Sequence, residues 1–150
     1  GARAKAMGME VLYHQRSRVS EADETECGAR YVSFDELLAR ADFLSVHLPH
    51  NASTEGLLDA KALGQMKPGA VLVNISRAPI VDRDALIDAL ANGPLGGAGL
   101  DVHFQEPTPP DDIIKSFRNV VLTPHIAVGP RHHAVQDMEA VVAALAQVVT

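Results

Sequence analysis

The sequence predicts an α/β fold in which a doubly wound parallel sheet carries helices on both faces. Strand-like and helix-like segments alternate along the 150 residues, and strands separated by helices pair in parallel through right-handed crossovers. The apolar run at 70–75 is typical of a strand buried on both faces. Ala, Val and Leu supply the core and only 4% of the residues are aromatic, which suits helices packed closely on a sheet.

The first half of the chain predicts two strands and two helices. Residues 1–7 have the pattern of a helix end, with Gly8 as the stop signal, and a strand at 9–13 is followed by a polar loop through Gly28. Ser33 and Glu36 form a capping box that opens a helix, and its apolar face precedes a strand at 43–48.

The second half continues the alternation. Asp59 and Asp82 are the N-caps of two helices, and Gly93 lies just past the end of the second one. The other predicted elements are strands at 70–75, 97–102 and 120–123, a proline-rich loop at 106–112 and a long last helix at 131–149.

Composition excludes several classes of function. The net charge is −6 and there is no basic run, so the chain cannot replace the counterions of a nucleic acid. No apolar run approaches the roughly 20 residues that span a bilayer, and there is no signal-peptide pattern. The lone Cys27 cannot form an internal disulfide, so we expect a cytoplasmic protein. His132 and His133 have no further ligands at metal-binding spacing, so we expect no metal site.

Polar residues follow four of the predicted strands. Three of the segments are N-I-S-R-A-P-I-V-D at 74–82, G-L-D-V-H-F-Q-E-P at 99–107 and T-P-H-I-A at 123–127, and H-L-P at 47–49 closes the fourth strand. Because ligands of doubly wound sheets bind beyond the carboxyl ends of the strands, we expect Arg77, Glu106 and His125 to converge there.

These three side chains suit the reduction of a 2-oxo acid. A guanidinium can bind the substrate carboxylate with two hydrogen bonds, which is the role predicted for Arg77. A histidine can exchange a proton with the carbonyl oxygen near neutral pH, the role predicted for His125. A carboxylate beside that histidine fixes the ring and favours its protonated form, the role predicted for Glu106.

The same motifs resemble those of the D-2-hydroxyacid dehydrogenases, which include glyoxylate and hydroxypyruvate reductases. That family carries N-x-x-R-G-x-x-V-D, G-x-D-V-x-x-x-E-P and T-P-H-I in this order, and here Ala78 replaces the glycine. The resemblance implies a Rossmann-like dinucleotide-binding domain with Arg77, Glu106 and His125 as the catalytic residues. It also implies that Asp101 accepts a hydrogen bond from the nicotinamide carboxamide. The remaining implied cofactor contacts are Ile75, Ser76 and Ala127 around the nicotinamide, and Pro49 and Thr54 along the cofactor.

The loop after the first predicted strand predicts the choice of cofactor. An acidic side chain at this place binds the adenosine ribose hydroxyls and repels a 2′-phosphate. Here the loop contains Gln15, Arg16, Ser17 and Arg18 and has no acid. The two arginines and the serine can bind a 2′-phosphate through charge-assisted hydrogen bonds, so NADP is favoured over NAD.

Two parts of the resembled enzymes are not recognisable in residues 1–150, namely the first strand with its Gly-rich phosphate-binding turn and the substrate domain. We therefore expect a partial dinucleotide-binding domain that is inactive by itself and binds dinucleotide weakly. The resemblance further implies a homodimer acting on a small 2-oxo or 2-hydroxy acid. The alternative is a truncated, non-catalytic binding or dimerisation module derived from the same family.

Overall fold

The computed structural model describes residues 1–127, so the predicted helix at 131–149 and the pair His132–His133 lie outside the described residues. The α-helices are α1 (Ala2–Ala6), α2 (Glu21–Cys27), α3 (Phe34–Arg40), α4 (Ala60–Gly64) and α5 (Arg83–Ala91). The strands are β1 (Val11–Tyr13), β2 (Ala29–Tyr31), β3 (Phe43–Val46), β4 (Ala70–Asn74), β5 (Leu95–Leu100) and β6 (Val120–Leu122). Short 3-10 helices cover Ala78–Ile80 and Ile113–Ser116. Within residues 1–127, no helix is both long enough and apolar enough to cross a membrane.

All strand pairs are parallel, as predicted, but they form two sheets. One contains β1 and β2, and the other has four strands in the order β3-β4-β5-β6. In a doubly wound sheet the first strand lies between the second and the fourth. The break between the two sheets falls at that place, and no strand of the described residues pairs with both β1 and β3.

The polar loop predicted through Gly28 is wrong in its second part, where the chain forms α2, and β2 follows in a stretch for which the sequence predicted no element. Ser20 is the N-cap of helix α2, and its hydroxyl accepts a hydrogen bond from the Asp23 amide. Gly28, with φ +61°, is the C-cap. Its one buried residue is Glu24, so it has no apolar stripe by which a helical period could be recognised. Strand β2 is only three residues long and contains an exposed arginine, so the sequence shows no apolar run that would predict a strand.

The three helix starts predicted at Ser33, Asp59 and Asp82 are confirmed. The side chains of Ser33, Asp59 and Asp82 each accept a hydrogen bond from the backbone amide three residues on, which typically stabilises a helix by about 0.5–2 kcal/mol. Only half of the predicted capping box forms, because the Glu36 carboxylate accepts a hydrogen bond from Arg40 at 2.7 Å.

The core lies between the four-stranded sheet and the helices. Its most deeply buried apolar side chains come from several elements: Leu38, Leu63, Leu72, Ile80, Val81 and Leu86. The predicted inner face of α5 is buried as expected. Strand β4 differs from the prediction, since its residues alternate between buried and half-buried and only one face is fully covered.

Glycines in β5 let neighbouring backbone approach closely. A Cβ atom on Gly97 would lie 2.7 Å from the Asn119 carbonyl oxygen, at the start of β6. A Cβ atom on Gly99, two residues along the same strand, would meet only the Val73 side chain at 3.9 Å. The first contact is a clash with backbone, whereas the second is ordinary van der Waals contact.

These two glycines give a matched test of the packing between β5 and β6. Gly97→Ala should lower the free energy of unfolding by about 1–3 kcal/mol, since the backbone must shift to admit the methyl group. Gly99→Ala should be neutral or slightly stabilising, because it restricts the unfolded chain without a clash. Urea denaturation measures both, and equal effects would contradict the predicted contact.

Candidate active site

Glu106 and His125 form a hydrogen-bonded pair at the carboxyl edge of the four-stranded sheet. The His125 Nδ1 atom lies 2.9 Å from Glu106 Oε2 and 3.0 Å from Oε1. Glu106 follows β5 and His125 follows β6, and these strands are neighbours in the sheet. The structure thus brings together two residues that are 19 positions apart in the sequence.

The surroundings of the Glu106 carboxylate favour its charged form. The hydrogen bond from His125 and a second from the backbone amide of His103, at 3.1 Å, hold the pKa of Glu106 below its ordinary value. Nδ1 of the His125 ring is used by Glu106, and Nε2 has no hydrogen-bond partner among residues 1–127. The sequence reasoning gave His103 no role, but its ring also donates to the Thr123 carbonyl at 2.8 Å.

His125 sits in a strained turn. Its backbone has φ +53°, a conformation that side chains other than glycine rarely adopt. The amide of His125 donates to the Thr123 carbonyl at 3.0 Å, so this carbonyl accepts from the backbone of His125 and from the ring of His103. Residues held in such conformations persist only when their surroundings fix them.

Asp101 supplies much of that support. Its side chain is buried and accepts hydrogen bonds from the Thr123 hydroxyl at 2.5 Å, the Ile126 amide at 2.9 Å and the Ala127 amide at 2.8 Å. Burial raises the pKa of Asp101, but these hydrogen bonds outweigh it and leave the pKa below its ordinary value. A carboxylate has about four acceptor positions, so one is left for the carboxamide contact that the family resemblance implies.

Arg77 follows β4 and begins the 3-10 helix Ala78–Ile80. Its guanidinium is exposed and donates through Nη1 to the Ser76 carbonyl at 2.7 Å. The turn beneath it is shaped by the buried Asn74, whose Oδ1 accepts from the Ser76 amide and whose Nδ2 donates to the Arg77 carbonyl, both at 3.0 Å. Asn74 thus fixes the backbone that carries the arginine.

An open cleft lies beyond the carboxyl ends of β3 and β4. It is lined by His47, Leu48, Pro49, His50, Ser76 and Arg77. The Ser76 hydroxyl donates to the Leu48 carbonyl, which ties the two strand ends together. Thr54 donates to the Pro49 carbonyl at 2.7 Å, and Ile75 leaves 40% of its surface exposed. Four of the cofactor contacts implied by the resemblance, Pro49, Thr54, Ile75 and Ser76, therefore lie at or beside this cleft, together with Arg77.

The predicted phosphate-binding residues lie on the loop after β1. Gln15 donates through Nε2 to the Ser17 carbonyl at 2.6 Å, and Arg16 and Ser17 are exposed. Arg18 differs, because its Nε and Nη2 atoms both lie 2.7 Å from the carboxylate of the buried Glu24. Hydrogen bonds from Arg18 and Tyr13 hold the pKa of Glu24 at about 2, so this carboxylate is charged at neutral pH.

Sequence reasoning missed the supporting roles of Glu24, Asn74, His103 and Thr123. Asn74 and Thr123 belong to the quoted motifs, so their position at strand ends was the available signal. Nothing in the local sequence distinguishes Glu24 from the exposed acids around it, since its partners Tyr13 and Arg18 lie in another segment.

A parallel α/β sheet with polar side chains gathered at its carboxyl edge is the arrangement of a Rossmann-like nucleotide-binding domain. The chain belongs to the D-isomer specific 2-hydroxyacid dehydrogenase family, whose NAD binding domain matches residues 1–127. The predicted family and fold class are therefore confirmed.

Known proteins that are similar to this chain support the same family. Glyoxylate reductase of Thermococcus litoralis is 45% identical over 141 residues, which cover 94% of this chain and 42% of the relative. The structure of a glyoxylate reductase from Paecilomyes thermophila is 40% identical with a TM-score of 0.77, covering 86% of this chain and 38% of that one. A Xanthobacter autotrophicus Py2 D-isomer specific 2-hydroxyacid dehydrogenase, solved in complex with NADPH and MES, is 32% identical with a TM-score of 0.74 and coverages of 84% and 40%. The chain thus spans about two fifths of the length of these relatives.

Asp101→Asn tests whether the buried carboxylate holds the loop that carries His125. An amide offers one acceptor oxygen and places an NH₂ group against a backbone N–H, so we expect a loss of about 1–3 kcal/mol in the free energy of unfolding. Hydrogen exchange at the Ile126 and Ala127 amides should accelerate. Thr123→Val removes only one of the three hydrogen bonds and should cost less stability. If both amides are as well protected from exchange in Asp101→Asn as in the unaltered chain, Asp101 does not have this role.

Proposed function

We propose that this chain forms the nucleotide-binding part of an oxidoreductase that transfers a hydride between NADP(H) and a small 2-oxo or 2-hydroxy acid. The observation that carries the proposal is the hydrogen-bonded pair of Glu106 and His125, at the same sheet edge where Arg77 follows β4. The names of two similar proteins, both glyoxylate reductases, support glyoxylate and related 2-oxo acids as substrates.

The residues present fit a nicotinamide dinucleotide. The cleft beyond β3 and β4 offers the apolar surface of Pro49 beside Ser76, and the exposed side chain of Ile75 offers an apolar surface for the nicotinamide ring. On the loop after β1, Arg16 and Ser17 are exposed and have the donors that a 2′-phosphate requires. When bound, the cofactor supplies or accepts the hydride, and we assign the other steps to side chains of this chain.

Arg77 binds the substrate carboxylate in this proposal. One Nη atom is engaged by the Ser76 carbonyl, which orients the guanidinium and leaves further N–H groups for a two-point contact. Such a contact orients the neighbouring carbonyl carbon, and orientation of this kind is a large part of enzymatic rate enhancement. A lysine has the charge but not the planar fork.

His125 moves the proton. Glu106 holds Nδ1, so Nε2 is the atom that donates a proton to the substrate oxygen in the reduction and accepts it in the oxidation. The charged Glu106 stabilises the imidazolium and keeps the ring in one orientation. This division resembles other His–carboxylate pairs, in which the carboxylate orients and tunes the ring.

The preference for NADP over NAD, assembly as a homodimer and a cytoplasmic location belong to the same proposal. The absence of an acid at 14–18 and the NADPH complex of a similar structure support the cofactor preference. Large exposed apolar side chains near β6, Val121 at 68% and Ile126 at 59%, support a covered surface there. By itself the segment 1–150 is proposed to be inactive.

The catalytic assignment can be tested in the complete gene product that contains this chain. His125→Asn should lower kcat for glyoxylate reduction by about 10²–10⁴-fold, because proton transfer is lost. Arg77→Lys should mainly raise the KM for the 2-oxo acid. Steady-state kinetics with both substrates varied separate the two effects, and a His125→Asn enzyme with unchanged kcat would refute the assignment.

Glu106→Gln belongs to the same experiment and addresses pH. Hydrogen bonds from His125 and His103 hold the pKa of Glu106 below its ordinary value, so the carboxylate stays charged, and keeps its contact with His125, until the pH falls below the range in which a free glutamate titrates. The fall of kcat/KM at acid pH that follows protonation of Glu106 should therefore be absent in this variant, and kcat should be lower because the ring is no longer held by an anion. Glu21→Gln, an exposed residue at the start of α2, is the control and should leave the profile in place. A profile that stays unchanged in Glu106→Gln argues against a tuning role.

The cofactor preference is checked by comparing kcat/KM for NADPH and NADH at a saturating concentration of the 2-oxo acid. We expect a preference for NADPH of at least about tenfold, the size of one charge-assisted hydrogen bond. The same preference should appear in direct fluorescence titration of the two reduced cofactors. A preference for NADH in both measurements would defeat this part of the proposal.

A further inference from the structure

The loop that joins β1 to α2 is braced at both ends by one buried carboxylate. Glu24 Oε1 accepts a hydrogen bond from the Tyr13 hydroxyl at 2.6 Å, at the end of β1. The same carboxylate accepts the two-point contact from Arg18, near the start of α2. The Tyr13 hydroxyl in turn accepts from the Val19 amide at 3.1 Å. Residues 14–19 are therefore fixed at both ends by the hydrogen bonds of Glu24 with Tyr13 and Arg18, which we call the brace.

The two arginines of the loop differ in their contacts. The Arg18 guanidinium donates through Nε and Nη2 to Glu24, and the carboxylate balances its charge. Arg16 is exposed and has no ion pair among the described residues, and the neighbouring Ser17 is exposed as well. A second anion gains more from an unbalanced cation than from one already paired with a carboxylate.

We infer that Glu24 is a specificity-determining positioning residue, which fixes the loop through Arg18 and Tyr13 so that Arg16 and Ser17 bind the cofactor 2′-phosphate. Arg18 is then part of the brace and does not contact the phosphate, although the sequence pattern groups it with Arg16. The inference rests on the proposed use of NADP(H). It adds a residue on α2 to the determinants of cofactor choice.

A direct contact of Arg18 with the phosphate predicts the opposite effect of a Glu24 substitution on NADPH affinity. If Arg18 were itself a phosphate ligand, Glu24 would compete with the phosphate for the guanidinium. Removal of the Glu24 charge would then strengthen NADPH binding. If Glu24 is a brace, its removal loosens the loop and weakens NADPH binding.

The experiment compares Glu24→Gln, Arg16→Ala and Arg18→Ala with the unaltered complete gene product, using NADPH and NADH as probes. We expect Glu24→Gln to raise the KM and Kd for NADPH by about tenfold, the range of one hydrogen bond to a charged group. The kcat at saturating NADPH and the Kd for NADH should stay within about twofold. Arg16→Ala should lose more NADPH affinity than Arg18→Ala. Glu26→Gln, an exposed glutamate of the same helix, is the matched control.

Two other binding results with a folded Glu24→Gln enzyme overturn the inference. Tighter NADPH binding by Glu24→Gln makes Arg18 the ligand, and equal weakening of NADPH and NADH makes the loop a general adenosine contact. If Glu24→Gln does not fold, as judged by circular dichroism, Tyr13→Phe removes one bond of the brace and should give a smaller effect of the same sign. A preference of the unaltered enzyme for NADH defeats the cofactor proposal, whereas normal NADPH preference with an indifferent Glu24→Gln defeats this inference alone.

Discussion

The geometry of the site depends on the buried carboxylate of Asp101. It lies just past the end of β5 and accepts hydrogen bonds from the hydroxyl and two amides that follow β6. Burying a charge without partners is costly, so these three donors must stay in place for the fold to remain stable. The constraint fixes how the segment after β6 leaves the sheet. As a result, His125 is held in its left-handed conformation within hydrogen-bonding distance of Glu106.

The same device occurs at two other strand ends. Asn74 is buried at the end of β4. Its side-chain oxygen accepts a hydrogen bond from the Ser76 amide, and its side-chain nitrogen donates one to the Arg77 carbonyl. Glu24 is buried under the loop that leaves β1 and bonds the residues at its two ends. In each case a buried polar group shapes a turn, and the side chain proposed for function is exposed on that turn. Rigid support of this kind positions a reacting group more exactly than a free loop does.

The sequence was informative where the signal was local. Caps at Ser33, Asp59 and Asp82 marked helix starts because one residue and its own next turn decide them. The strand ends that carry Arg77, Glu106 and His125 could be placed because parallel strands end at a common edge. The sequence did not predict helix α2, strand β2 or the contact of Arg18 with Glu24. A three-residue strand and a polar helix show no apolar period that would reveal them. The hydrogen bonds of Asp101 join it to residues 22–26 positions further on, and no sequence pattern indicates which donors after β6 a carboxylate at the end of β5 will accept from.

Buried and exposed polar groups are therefore under different physical constraints. A change at Asp101 or Asn74 removes hydrogen bonds of a buried side chain that shapes a turn, which costs about 1–3 kcal/mol. A change at Arg16 or Ser17 alters exposed side chains and leaves the hydrogen bonds of the brace in place. The choice of cofactor can then change by substitution at the exposed loop positions, while the turns beside Arg77 and His125 keep their shape. One scaffold can in this way hold the acid–base pair constant and vary what binds at the loop after β1.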